Sequence, residues 1–152
     1  MVQAETDTCY RIPADIFHKE TDIFRKEISR REAFHDLMAR YAQALSGVIM
    51  QATACNAVHS VEQRLARWLL LAHDRIGKNE FPLTQEFVAM MLGVSRPSVT
   101  IVAGTLEKAG RITYRRGRLA IVDRQRLEAA SCECYQTATD LLTNVTRRQS
   151  VR

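Results

Sequence analysis

The stretch LTQEFVAMMLGVSRPSVTIVAGTL, residues 83–106, decides the fold of this chain. It contains two helical segments separated by a short turn at Gly93. A turn this short forces the helices to cross steeply, so only apolar or small residues fit where they meet. Those positions hold Val88, Ala89, Leu92, Val94, Val99 and Val102. The pattern predicts a DNA-reading helix-turn-helix in which Gly93 has a positive φ.

Capping residues set the limits of the helices around this motif. Thr84 and Ser95 precede its two helices, and a hydroxyl at that position accepts a bond from a first-turn amide. A capping box at Ser60 and a stop at Gly77 predict an earlier helix with an apolar stripe. Residues 78–82 then form a connecting loop.

A β-hairpin is predicted after the motif, because residues 112–115 and 118–121 flank the dipeptide Arg116-Gly117, a type I′ turn sequence. Pairing Arg115 with Arg118 places the apolar side chains on one face. Asp123 then caps one last helix. The apolar stripe of that helix is Leu127, Ala130, Cys134, Ala138, Leu141 and Val145.

A long helix is predicted before the motif, beginning near Arg30 at the capping box Ser29-Arg30-Arg31-Glu32. Its apolar positions alternate in steps of four and three, which is the spacing of a coiled coil. Because a helix of roughly 40 Å exceeds its short neighbours, we expect it to pair with a second copy. Packing along another part of the same chain is the alternative. The dimerisation positions are Phe34, Met38, Tyr41, Leu45, Val48, Ala52, Cys55 and His59.

The composition limits the size and charge of the protein. A chain of 152 residues holds one ordinary domain, or a small domain with an extension. Lys and Arg number 22 against 17 for Asp and Glu. Six arginines and only one acid, Asp123, lie between residues 111 and 126, which predicts a phosphate-binding patch. A solvated arginine face without a partner is the alternative. Without an apolar run of about 20 residues, we expect a cytoplasmic protein and no membrane contact.

The histidines and cysteines do not predict an enzyme, a cofactor or a metal site. The histidines are scattered and form no catalytic spacing. Cys132 and Cys134 stand two apart in a predicted helix, so their side chains should point to different faces and not share an ion. In a parallel dimer, two copies of Cys55 and His59 could form a zinc site. The favoured interpretation is that both are ordinary dimerisation residues.

These elements predict a mainly α protein with a small β-hairpin, in which a long dimerisation helix precedes a winged helix-turn-helix domain. The expected divisions are residues 1–28, the coiled-coil helix at 29–59, the winged domain at 60–146 and a tail at 147–152. A short strand is expected at residues 8–12. The apolar residues that follow it lack partners here, so either material that precedes them is missing or they dock on another chain.

The order of these elements resembles the C-terminal half of bacterial transcription regulators of the cyclic-AMP receptor protein and FNR family. The resemblance rests on LTQEFVAMMLGVSRPSVT and TLEKAGRITYRRGRLAIVD, residues 83–100 and 105–123, and on CNAVHSVEQRLARWLLLAHDRIG, residues 55–77. It implies that residues 1–28 are the remnant of an effector domain. The effector-binding β-roll and the iron-sulfur cysteine cluster of such regulators are not expected in this chain.

The resemblance implies a homodimer that reads a pseudo-palindromic site on double-stranded DNA and contacts RNA polymerase. The base-reading candidates are Arg96, Pro97, Ser98, Thr100 and Ile101. The phosphate-binding candidates are Thr84, Ser95, Arg115, Arg116 and Arg118. Arg96 can contact guanine with two hydrogen bonds, whereas Pro97 and Ile101 offer only apolar contact in places where better-known relatives have polar residues. We therefore expect DNA shape to carry much of the specificity.

A different class of function is also consistent with these elements. Winged helices can bind proteins, so a regulator without a sensor could pair with intact relatives and block them without binding DNA productively. Salt-sensitive DNA binding discriminates between the two interpretations.

Overall fold

The computed structural model describes residues 21–26, 29–30 and 32–146. The predicted strand at residues 8–12 and the predicted tail at 147–152 lie outside them. The chain divides after Tyr41 into two compact units. In the first unit, the rings of Phe24 and Phe34 meet edge to face with centroids 5.8 Å apart.

The long helix α1 spans Glu32–Val58. Residues 21–26 and 29–30 are helical as well. The hydroxyl of Ser29 donates to the carbonyl oxygen of Arg25, 2.8 Å away. The prediction that a new helix begins near Arg30 is confirmed to within two residues, because α1 begins at Glu32. The predicted break at His59 is confirmed.

As expected, one helix precedes the predicted motif and two helices form it. They are α2 at Val61–Ile76, α3 at Gln85–Leu92 and α4 at Arg96–Lys108. Ser60 forms the predicted capping box, and Gly77 ends α2 with a φ of 68°. Thr84 and Ser95 cap α3 and α4, and Gly93 has a φ of 62°. The helix-turn-helix is confirmed in each of these local features.

A small antiparallel sheet forms the wing. Strands β2 at Ile112–Arg115 and β3 at Arg118–Ile121 pair in the predicted register, with Arg115 opposite Arg118. A third strand, β1 at Glu80–Pro82, pairs with the other edge of β3. The prediction of a plain loop at 78–82 is wrong because Phe81 is buried and draws this segment onto the sheet.

The predicted last helix is interrupted. Helix α5 spans Arg124–Ala130, and α6 spans Cys134–Thr146. Asp123 caps α5 as expected, but Ser131 leaves the helical conformation and its hydroxyl bonds back to the carbonyl oxygen of Glu128. Outside a helix, a spacing of two residues no longer separates side chains to different faces. The prediction that Cys132 and Cys134 point apart is therefore wrong, and both are buried in one cluster with Cys55.

Helix α2 supplies the centre of the main core. Leu65, Leu69 and Leu70 are at most 1% exposed and pack with the apolar faces of α3, α4, α5 and the sheet. The remaining fully buried side chains include Val88, Val99, Leu106, Ile112, Leu119 and Leu127. The winged domain is thus organised around one helix that precedes the DNA-reading motif in sequence.

The positions predicted for dimerisation have different environments. Phe34, Met38, Val48, Ala52 and His59 are half-buried, Tyr41 and Leu45 are exposed, and Cys55 is buried.

Helix α6 packs against the C-terminal half of α1. A Cβ added at Gly47 would lie 3.2 Å from the Cδ1 atom of Leu141, and Gln51 donates to the sulfur of Cys134. The prediction that the chain itself could not cover this part of α1 is therefore wrong. Cys55 in particular cannot reach a second copy.

Among the described residues, no single helix is both long and apolar enough to cross a bilayer. Helices α3 and α4 meet the length and composition criteria only together, as a pair bent by 105°.

The core assignment predicts a large difference between two aliphatic truncations on α4. Leu106→Ala should lower the free energy of unfolding by about 2–5 kcal/mol, because Leu106 is fully buried. Ile101→Ala should change it by less than about 0.5 kcal/mol, because Ile101 is 71% exposed. Urea denaturation followed by circular dichroism measures both. Equal losses would contradict the assigned orientation of α4.

Candidate nucleic-acid interface

The N-terminus of α4 presents the predicted base-reading residues on an exposed surface. The Ser95 hydroxyl accepts from the amide of Ser98 at 3.3 Å, and the two hydroxyls lie 2.8 Å apart. Arg96 and Pro97 are both exposed in this first turn. Because first-turn amides lack helical partners, this end of the helix favours negatively charged groups.

Two further predicted residues lie one turn along the same helix. Ile101 is 71% exposed, which leaves it available for apolar contact. Thr100 is also exposed, but its hydroxyl donates to the Gln85 side-chain oxygen at 2.8 Å. This bond joins the start of α3 to α4. Thr100 therefore has a positioning partner that the sequence did not reveal.

Thr84 acts first as a helix cap. Its hydroxyl accepts from the amide of Phe87 at 3.2 Å, and the side chain remains exposed. The cap uses only an acceptor lone pair, so the hydroxyl hydrogen of Thr84 remains available to donate to another partner.

The turn of the wing exposes two arginines. Arg116 has a φ of 50° and Gly117 a φ of 75°, as the predicted type I′ turn requires. Arg115 and Arg116 are exposed and have no ion-pair partner among the described residues. Arg118 differs from them because its guanidinium pairs with Glu80 on β1.

The predicted basic patch is smaller than the sequence indicated. Besides Arg118, three of the six arginines between residues 111 and 126 pair with acidic side chains. The pairs are Arg111 with Glu62, Arg124 with Asp74 and Glu128, and Arg126 with Asp123. Most of the acids come from distant segments, so a count within one window could not include them. The uncompensated charge of this window is therefore at the wing tip.

Tyr114 positions the wing beside α4, a role that the sequence interpretation missed. Its hydroxyl donates to the carbonyl oxygen of Leu83 at 2.5 Å, and its amide donates to the Glu107 carboxylate at 3.1 Å. Burial raises the pKa of Tyr114, and the charge of Arg96 opposes this shift. The one sequence feature that could have indicated this role is the pairing of Tyr114 with Leu119 in the predicted hairpin.

Arg64 supports the other end of α3, and the sequence did not reveal this contact either. This arginine is 8% exposed, and its guanidinium donates to the carbonyl oxygen of Leu92. Because Leu92 is the last residue of α3, a cation there satisfies a terminal carbonyl and interacts favourably with the helix dipole. The Arg64 contact thus helps to hold the helix that precedes the Gly93 turn.

Comparison with known proteins agrees with this geometry. Residues 63–130 match the family model of the Crp-like helix-turn-helix domain. A crystal structure from Eubacterium rectale ATCC 33656, assigned to the Crp/Fnr family of transcriptional regulators, is 28% identical with a TM-score of 0.53. The match covers 60% of this chain and 44% of that one, so the chain spans less than half the length of this relative. No curated protein sequence matches.

The chain therefore contains a winged helix-turn-helix domain, with an exposed helix N-terminus on α4 and a basic hairpin turn. Residues 63–130 are a Crp-like helix-turn-helix domain.

The role of Tyr114 predicts a local effect of Tyr114→Phe. Losing the hydroxyl bond should raise amide exchange rates in β2 and β3 and cost about 0.5–1.5 kcal/mol in local stability. Because the pKa of Tyr114 is raised, its hydroxyl stays protonated at neutral pH and this contribution is lost only at a pH above about 10. Tyr41→Phe on α1 is the matched control. Unchanged exchange in the wing of Tyr114→Phe would contradict the positioning role.

Proposed function

We propose that the chain is a sequence-specific DNA-binding transcription regulator that acts as a homodimer. The observation that carries the proposal is the joint exposure of the α4 N-terminus and the wing tip in a Crp-like domain. An exposed helix terminus with a nearby arginine can read base edges, while a second basic element contacts the backbone.

Base reading is assigned to the exposed side of α4. Arg96 donates two hydrogen bonds to O6 and N7 of a guanine in the major groove. Ile101 and Pro97 contact the methyl group of a thymine, which is the apolar feature that this groove offers. Ser98 and Thr100 share their hydroxyls with partners inside the domain, so they contribute less to recognition. Few base contacts remain per half-site, which favours a contribution from DNA shape.

Backbone contacts are assigned to the wing and the helix caps. Arg115 and Arg116 are charged, exposed and unpaired among the described residues, so they can bind phosphates without first breaking an ion pair. Arg118 must share its guanidinium with Glu80, and we expect it to contribute less than the other two. Ser95 and Thr84 lie at helix N-termini, where phosphate oxygens are favoured.

The dimer is assigned to the uncovered side of α1. Leu45 is 42% exposed and Ile49 is 59% exposed, while Cys55 on the adjoining side is covered by the chain itself. Large apolar side chains at coiled-coil spacing on a long helix favour pairing with an identical helix. Two-fold pairing presents two reading helices to half-sites about 34 Å apart.

DNA binding is tested by titrating the purified dimer into labelled duplexes of random sequence at several salt concentrations. We expect the logarithm of the binding constant to fall linearly with the logarithm of salt concentration, because phosphate contacts release counterions. A verified dimer that shows no salt-sensitive binding would instead support the role of an interaction module that pairs with related regulators.

Two arginine variants should affect binding differently. On a duplex selected for tight binding, Arg96→Ala should lose about 1–3 kcal/mol and relax the sequence preference. Arg116→Ala should weaken binding to all duplexes alike and reduce the salt slope by about one. Competition gel-shift assays with selected and random DNA measure both effects. Equal losses on the two DNAs for Arg96→Ala would refute its base-reading role.

The dimer surface predicts the oligomeric state of a matched pair of variants. Leu45→Glu should convert the dimer to a monomer, because two carboxylates would be buried against each other without partners. Met50→Glu should remain dimeric, since Met50 is 68% exposed on another side of α1. Sedimentation equilibrium gives the masses. A monomeric parent protein, or dissociation of both variants, would contradict this surface.

A further inference from the structure

Four side chains with metal-binding atoms converge where α1 meets the junction of α5 and α6. One ligand atom from each of Cys55, His59, Cys132 and Cys134 lies within 4.8 Å of all the others. The three cysteines are buried and His59 is half-buried. None of these residues belongs to the proposed DNA interface. They come from segments 77 residues apart in sequence, which the fold brings together.

Two distances within this cluster match those between ligand atoms of a tetrahedrally coordinated ion. The sulfur atoms of Cys55 and Cys132 are 3.5 Å apart, and the sulfur of Cys134 is 3.6 Å from Nδ1 of His59. Zinc bonds of about 2.3 Å to sulfur and about 2.0 Å to nitrogen separate tetrahedral ligand atoms by roughly 3.5–3.8 Å. Three cysteines and one histidine are a common structural zinc set. The chain therefore supplies a complete set of four ligands.

The groups around the cluster fit the same chemistry. Nε2 of His59 lies 3.2 Å from the Glu133 carboxylate, which leaves Nδ1 facing the sulfur of Cys134. A metal-bound histidine usually donates its other ring nitrogen to a carboxylate in this way. The Gln51 amide donates to the sulfur of Cys134 at 3.0 Å. A hydrogen bond to a ligand sulfur stabilises its thiolate form.

The charge balance is also favourable. Three thiolates with one divalent cation carry a net charge of −1. Arg67 is 6% exposed, and its Nε has no hydrogen-bond partner among the described residues. Burial raises the pKa of Cys55, and the positive charge of Arg67 opposes that shift. Arg67 is thus a buried cation with an unsatisfied nitrogen. Its charge acts on Cys55, which is one of the four residues that would form the anionic centre.

We infer that Cys55, His59, Cys132 and Cys134 of one chain bind a structural Zn²⁺ ion that fastens α1 to the start of α6. The ion closes a loop that contains most of the winged domain and fastens the C-terminal end of α1 to it. This arrangement replaces the zinc site between two copies that was weighed from the sequence, because Cys55 is covered by its own chain.

Metal analysis of the reduced full chain tests the site directly. Native mass spectrometry should find one zinc ion per chain, and cobalt substitution should produce thiolate-to-metal charge-transfer and tetrahedral d–d absorption bands. Zinc binding should also release protons, because a cysteine must lose its thiol proton to become a ligand.

Variants assign the ligands. Cys134→Ser and His59→Ala should abolish the cobalt spectrum of three thiolates and one imidazole, whereas His35→Ala, an exposed histidine of α1, should leave it unchanged. Glu133→Gln and Gln51→Ala should retain the spectrum and lower zinc affinity about 10- to 100-fold in chelator competition. Circular dichroism checks that each variant is folded.

Several results would overturn the inference. One is a reduced parent protein that binds neither zinc nor cobalt and forms only a Cys55–Cys132 disulfide on oxidation. Another is a cobalt spectrum without thiolate bands, or one that survives in folded Cys134→Ser. The parent measurement decides the matter even if a ligand variant fails to fold. Loss of DNA binding with zinc retained would count against the proposed function alone.

Discussion

The steep crossing of α3 and α4 is the constraint on which the rest of the molecule depends. The two helices are bent by 105° at a turn where Gly93 adopts a φ of 62°. Residues with a Cβ rarely adopt that conformation. The crossing buries Val88 and Val99 against α2 and leaves the N-terminus of α4 at the surface. Without it, the exposed face of α4 would have no fixed direction relative to the core.

The wing depends on the same crossing. Tyr114 connects β2 to the residue before Thr84, and Glu107 near the end of α4 accepts from its amide. The basic turn is therefore held by contacts with both sides of the helix-turn-helix. Ion pairs neutralise most other arginines in this part of the chain, so unpaired charge stands at the wing tip beside the reading helix. Rigid positioning of this kind favours recognition because less conformational entropy is lost on binding.

Local sequence rules predicted the caps, the Gly93 turn and the register of the hairpin, because each depends on residues only a few positions apart. They failed where distant segments determine the outcome. Phe81 lies in a strand because its segment pairs with β3, which comes much later in the sequence. Glu62 and Asp74 neutralise arginines about 50 residues away, which a window count cannot detect. Candidate reading residues could be named from the motif, but the supporting bonds of Tyr114 and Arg64 needed the fold.

The cysteines show the same limit most clearly. The prediction of one continuous helix at residues 124–145 placed the side chains of Cys132 and Cys134 on different faces. In the structure, the helix breaks at Ser131, and both sulfur atoms lie near Cys55. The long helix was expected to be too large for its own chain to cover, yet α6 covers part of it and leaves Leu45 and Ile49 for another partner. One face of α1 thus belongs to the fold and the next is available for assembly.

In the proposed function, the N-terminus of α4 and the wing tip form one DNA-binding surface. Hydrogen exchange of the full chain, measured with and without a tightly bound duplex, tests it most directly. We expect slower exchange at residues 95–101 and 115–117 on binding, with little change in α1. Slower exchange confined to α1, or none in α4 and the wing despite saturated binding, would contradict it.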